Sequence, residues 1–163
     1  MFSFFNKTPK INNQTHIELA KMFWADTTTP IYNIKFLDPS KLDFSVESLK
    51  HVDEYLEIAY KNELSDEEYI TVIMRVGSYV GEVIRKNLNT YNWLEYKEAK
   101  KAHKIIKEYG LQLSTLAVLW EEPDNILLPF AKVDKYLTNG SEDSTYSFVT
   151  IIIAQNNNQL KTI

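Results

Sequence analysis

Residues 65–88, SDEEYITVIMRVGSYVGEVIRKNL, read as one long helix, and the remaining elements have to be arranged round it. Ser65 stands three residues before Glu68, the spacing at which hydroxyl and carboxylate each satisfy a free amide of the first turn. Leu64 and Tyr69 flank that cap as a hydrophobic staple. At about 100° per residue, Ile70, Ile73, Met74, Gly77, Val80, Gly81, Ile84 and Leu88 share one face, and Val72, Val76 and Val83 widen it. An apolar stripe that broad predicts burial against two neighbours. Glu68, Arg75, Tyr79, Glu82 and Lys86 fall on the opposite face, with Glu82 and Lys86 four apart in the favourable order.

Two of the chain's four glycines, Gly77 and Gly81, lie inside this helix. Each costs roughly 1 kcal/mol against alanine there, so something must offset it. The steric reading is that two turns without side chains let another element approach the backbone, and this packing notch is favoured over a notch for a ligand. The same spacing mediates dimerisation in membranes, but Arg75, Glu82, Arg85 and Lys86 interrupt the segment and exclude a membrane span.

At 163 residues the chain is expected to form a single domain with a core of its own. Its net charge of −4 argues against nucleic acid, which selects a basic stripe, and suits a basic partner. The absence of cysteine excludes disulfides, thiolate metal sites and a cysteine nucleophile. The start, MFSFFNKTPK, lacks a basic region followed by a long apolar run, so the reading is of a cytoplasmic protein. Phe2, Phe4 and Phe5 are expected to pack on their own domain.

Along the chain, Thr15 and Glu18 form a second capping-box pair opening a helix to about Ala25, which Thr27 to Pro30 stop. Ile31 to Leu37 have the composition of a short strand. Ser45 is read as the cap of a helix to about Lys61 with Leu49, Val52, Leu56 and Ala59 on its apolar face. The short loop after it predicts an antiparallel hairpin with the central helix. Tyr91 to Leu94 read as a strand, Tyr96 to Tyr109 as a helix ended by Gly110, and Leu111 to Trp120 as a second strand. Glu121 to Asn125 turn the chain into Ile126–Leu128 as a hairpin partner. Pro129 opens a helix carrying Phe130, Val133 and Leu137 that Asn139-Gly140 terminates. Ser144 to Gln155 fit a strand by propensity and a buried helix by cap and composition, and residues 156–163 are expected to fray.

The succession of SVESL, GSYVGEVIRKN, NWLEYKEA and LPFAKVDKYLTNGSEDS resembles a large, uncharacterised family of bacterial cytoplasmic domains. The likeness covers about residues 42–155 and leaves 1–41 as an N-terminal extension with one helix. It implies an α+β fold: a helical hairpin with a buried central helix packed on a small antiparallel sheet, plus C-terminal helices, the last element included. Some similar domains are encoded beside polymorphic toxins, which implies an immunity or adaptor role.

Candidate sites are few. His16, His51 and His103 lie on three predicted helices without ligand spacing; His51 has Glu54 three and Tyr55 four residues on, the makings of a two-group metal or acid-base pair, but one histidine supplies too few ligands and a solvated helix-surface residue is the favoured reading. Arg75 and Glu82 share a stripe and read as a structural ion pair. No phosphate loop, serine elbow or calcium loop occurs, so no cofactor, metal or catalytic residue is assigned. Glu121, Glu122 and Asp124 at the hairpin tip, with Glu142 and Asp143 after Gly140, could steer a basic protein such as a toxin domain. The favoured function is therefore a non-enzymatic protein-binding module, with an immunity protein that neutralises a cognate toxin as its specific form. The alternative is a hydrolase or small-ligand domain with Tyr79, Glu82 and Trp93 in a cleft beside the central helix.

Overall fold

In the computed structural model, residues 9–102, 117–123 and 125–160 are described. Nine regular elements follow one another in that part of the chain: α1 (Asn13–Ala25), α2 (Ser48–Tyr60), α3 (Asp66–Leu88), β1 (Asn92–Glu95), α4 (Tyr96–Ala102), β2 (Ala117–Glu121), β3 (Asn125–Leu127), α5 (Pro129–Asn139) and α6 (Thr145–Leu160). The α+β expectation holds, with C-terminal helices beside a small antiparallel sheet.

α3 is the expected rod. Glu68 N–H donates to Ser65 Oγ at 3.3 Å and Ser65 N–H to Glu68 Oε2 at 2.8 Å, closing the capping box. At the other end Asn89 takes the left-handed conformation, φ 59°, and its amide donates to the Arg85 carbonyl. From Val72 to Ile84 only Met74 is less than fully buried. This corrects the division into an apolar and a polar face: Arg75, Tyr79 and Glu82 are inside, while Ile70 of the supposed core face is 45% exposed. The rod is enclosed round its circumference because α1 packs on one side of it and α5 and α6 on others.

The glycines explain how the neighbours come so close. A Cβ on Gly77 would lie 2.6 Å from Cδ1 of Phe130, and one on Gly81 would fall inside the contact radius of the Trp93 ring. α5 and β1 thus press Phe130 and Trp93 onto bare backbone, and the dispersion gained there offsets the helix cost of glycine.

The strands run in the order β1-β2-β3, all antiparallel, with Trp93 opposite Leu119 and Leu119 opposite Leu127. Strand alternation separates the two faces. Trp93, Ala117, Leu119 and Leu127 turn to the main core, whereas Leu94 and Val118, with Trp120 and Ile126, form a smaller cluster with Ala99 of α4. The readings of a helix to Tyr109 and of strand at 111–116 lie outside the described residues, as do Phe2, Phe4, Phe5 and His103.

Three local expectations are corrected. α1 starts at Asn13 rather than at a Thr15 cap: Thr15 Oγ1 donates to Asn12 Oδ1 and Glu18 is taken by Gln14. Residues 31–37 form no strand, because Asn33 adopts φ 51° and turns the chain into the 3-10 turn Ile34–Phe36. An isolated antiparallel bridge from Ile11 to Leu94 lies on the outer edge of β1. Ser45 precedes α2 by a turn, accepting from Ser48 N–H, and the helix begins at Ser48. Leu49, Val52, Leu56 and Ala59 are buried as their spacing predicts.

α6 is a helix, which the hydrogen bonds at its start account for. Ser144 Oγ accepts from Ser147 N–H, and Asp53 of α2 accepts from the amides of Thr145 and Tyr146 and the hydroxyls of Ser144 and Thr145. A carboxylate at that terminus meets the free amides and the positive end of the helix dipole. Helix then continues through the amide-rich residues expected to fray, as far as Leu160.

Candidate functional site

The polar residues of α3 meet three other elements inside the molecule. Glu82 is 0% exposed and takes hydrogen bonds from Arg85 Nε at 2.8 Å, Arg85 Nη2 at 3.0 Å and Trp93 Nε1 at 2.9 Å. The fork of the guanidinium matches the carboxylate, and the indole N–H completes its shell. A carboxylate so paired and so buried is out of reach of a solute.

His16 stacks on the other side of Trp93, its ring 4.2 Å away and inclined 23°. Its Nδ1 lies 3.3 Å from Ser78 Oγ and its Nε2 3.5 Å from Glu95 Oε1. A neutral ring protonated on Nε2 suits both neighbours, accepting from the serine and facing the carboxylate. Burial holds the imidazole pKa below the usual 6.5, against the pull of Glu95 and Glu82. His16 shares a stripe with Ala20 and Phe23, both buried, so it is a core residue rather than a solvated one.

Arg75 does not pair with Glu82. It donates to Asp26 Oδ2 and the Thr29 carbonyl, both at 2.8 Å, and to the Met22 carbonyl at 3.3 Å, fastening the end of α1 and the turn after it. Asp26 accepts from Thr29 Oγ1 and from the amides of Thr28 and Thr29, and these bonds with the guanidinium hold its pKa down at about 2. Tyr79 points elsewhere: its hydroxyl donates to Ser48 Oγ and accepts from Phe44 N–H, and the Phe44 ring stacks on it at 4.8 Å. Phe44 is held at φ 63°, a left-handed value rare for a bulky side chain.

Tyr79, Glu82 and Trp93 are thus all 0% exposed, and no cleft opens at them. His51 is also buried. Its Nε2 accepts from Asp38 N–H at 2.9 Å, which leaves Nδ1 to carry the proton toward Glu54 at 3.1 Å. The ring tethers the 38–47 segment to α2.

The acidic residues divide. Glu122 and Glu142 are exposed. Glu121 is half-buried and accepts from the Asn125 side chain, closing the hairpin tip. Asp143 accepts from Asn139 and from Lys132, each at 2.7 Å, which lowers its pKa and ties the 140–143 turn to α5. Asp124 lies outside the described residues. Beside this turn is a shallow groove of about 250 Å³ between β3, α5 and α6, lined by Ile126, Leu128, Ala131, Lys135 and Phe148 among others. The sequence reading missed this groove, since its walls come from three elements, each apolar for other reasons. A polar hollow of about 350 Å³ lies by Asp43, Lys50, His51 and Glu54.

Comparison finds no matching protein family, no matching curated protein and no matching solved structure. No helix among the described residues is long and apolar enough to cross a membrane.

Proposed function

We propose that the chain is a non-enzymatic protein-binding module, and within that class an immunity-type protein that occupies a basic partner such as a toxin domain. The observation that carries this reading is the condition of Glu82: dry, bonded to Arg85 and Trp93, it serves the fold and not a substrate. Arg75, Tyr79 and His51 are spent in the same way. The side chains open to a partner include the acids Glu122 and Glu142, on a chain of net charge −4. Such a surface raises the encounter rate with a basic protein and makes binding fall with salt. The resemblance of residues 42–155 to a family of which some members are encoded beside toxins supports the same class.

The test is co-expression with the protein encoded by the neighbouring gene. A stoichiometric complex that loosens as salt rises, and that the triple variant Glu121→Lys, Glu122→Lys, Glu142→Lys fails to form while remaining folded, is the expected result. Background binding alone, or equal capture by the triple variant, contradicts the proposal.

A further inference from the structure

His51 of α2 is 8% exposed, and its Nε2 accepts from the Asp38 amide at 2.9 Å. Asp38 opens the stretch 38–44, in which the amides of Ser40, Lys41 and Leu42 bond only within the stretch. The two amides that bond beyond it among the described residues, those of Asp38 and Phe44, both end on side chains: His51 Nε2 and Tyr79 Oη. The stretch is therefore fastened at one end by a histidine and at the other by a tyrosine. Between them Leu42 is buried, and Asn87 Nδ2 adds a bond of 3.3 Å to the Phe44 carbonyl. Phe44 is strained in this position. Its φ of 63° is left-handed for a bulky residue, and such a value persists only while neighbours enforce it.

We propose that His51 is a proton-operated latch: a proton on Nε2 ejects the Asp38 amide and lets the stretch 38–44 come away from α2 and α3. The chemistry is that of an acceptor turned into a donor. Histidine side chains change charge between about pH 5 and 8, and an imidazolium donates from both nitrogens. Nδ1 already faces Glu54 at 3.1 Å with its proton, so the added one falls on Nε2, where it points at the Asp38 N–H. The charges round the ring decide which side yields. Glu54 and Lys50 of α2, Glu47 just before it, and Lys41 and Asp43 of the stretch line the same hollow of about 350 Å³. The Asp38 carboxylate, which caps Ser40, belongs to the tethered residue itself. Carboxylates outnumber ammonium groups in this set, so the field favours the charged ring and the amide is what leaves. Opening also relieves the Phe44 backbone. With the stretch away, Phe44 leaves the Tyr79 ring on which it stacks, and Trp24 loses an edge-on neighbour. Tyr79, fully buried while the latch is closed, is then open to a partner in acid.

The latch does not depend on the acidic surface or on a toxin-type partner. Amide hydrogen exchange of the full chain at about pH 7.5 and pH 5, on either side of the histidine range, reads it as protection relative to an unstructured peptide at the same pH. Protection of Lys41, Leu42 and Phe44 should fall about ten-fold or more in acid. Over the same change the segment Val72–Ile84 should lose no more than urea unfolding shows for the whole molecule. The variant His51→Gln keeps an acceptor for the Asp38 amide and cannot ionise, so its stretch 38–44 should be equally protected at both pH values. The wild-type ring gives a second readout that needs no variant. Its nitrogen chemical shifts should show a bare Nε2 at the higher pH, gaining a proton at the midpoint where protection of the stretch is lost. Equal protection of the wild-type stretch at both pH values, a loss that persists in His51→Gln, or a loss whose midpoint differs from that of the ring overturns the proposal.

Discussion

At the scale of single residues, the account turns on atoms that have no room to move. A methyl group on Gly81 would meet the Trp93 ring, and Trp93 is itself fixed by its bond to Glu82 and the stacked His16. Gly81→Ala is therefore expected to destabilise the fold by about 1–3 kcal/mol although alanine is the better helix former. The urea midpoint reads this directly, and a stabilised variant would mean that the notch is looser than described. Protonation supplies two further tests. The Asp26 pKa is lowered from 3.8 to about 2 on folding, so its stabilising contribution is present above the unfolded value and is lost as pH falls through that window. Asp26→Asn should flatten the acid limb of the stability profile between those values. His16 is lowered from 6.5 by burial, so the unfolded chain takes up the proton first and stability falls as pH drops below 6.5. His16→Gln should remove that part of the slope in urea titrations at pH 5 and 7.

At the scale of elements, α6 depends on a residue from another helix. Asp53 accepts two amides and two hydroxyls at its start. Asp53→Ala should cost about 1–3 kcal/mol, combining a lost cap with the desolvation of unpaired donors. Faster amide hydrogen exchange in the first turns of α6, and not in α3, is the signature expected. This bond also shows where sequence reading stops. The α3 capping box, the α2 apolar face and the Pro129 start were legible because their signals sit within one turn or one period. Local signals leave the helical state of residues 144–155 open because the group that caps it lies some ninety residues earlier. Residues 31–37 were misread for a related reason. Strand composition is a statement about packing on a sheet, and the Asn33 turn takes those residues away from one.

At the scale of the molecule, charge inside and charge outside do different work. The sequence placed Arg75, Tyr79 and Glu82 on an outward face because a helical wheel assigns polar residues to water. What no wheel can contain is that Asp26, Ser48 and Trp93 would come to meet them. The alternative cleft at Tyr79, Glu82 and Trp93 closes accordingly, and of the acids read as facing a partner Glu122 and Glu142 stay exposed. The acidic residues were visible as a cluster in the sequence, but not the pairing of Asp143 with Lys132 that removes it from the set.

The claim beneath all of these is that α3 lies enclosed from Val72 to Ile84, with Met74 alone reaching the surface. Native-state amide hydrogen exchange across the chain tests it most directly. The account predicts that the amides of this segment are the slowest in the protein and exchange only through global unfolding, with a free energy equal to that from urea. Exchange there through local opening, at rates like those of the exposed start of the helix near Glu67, would contradict it.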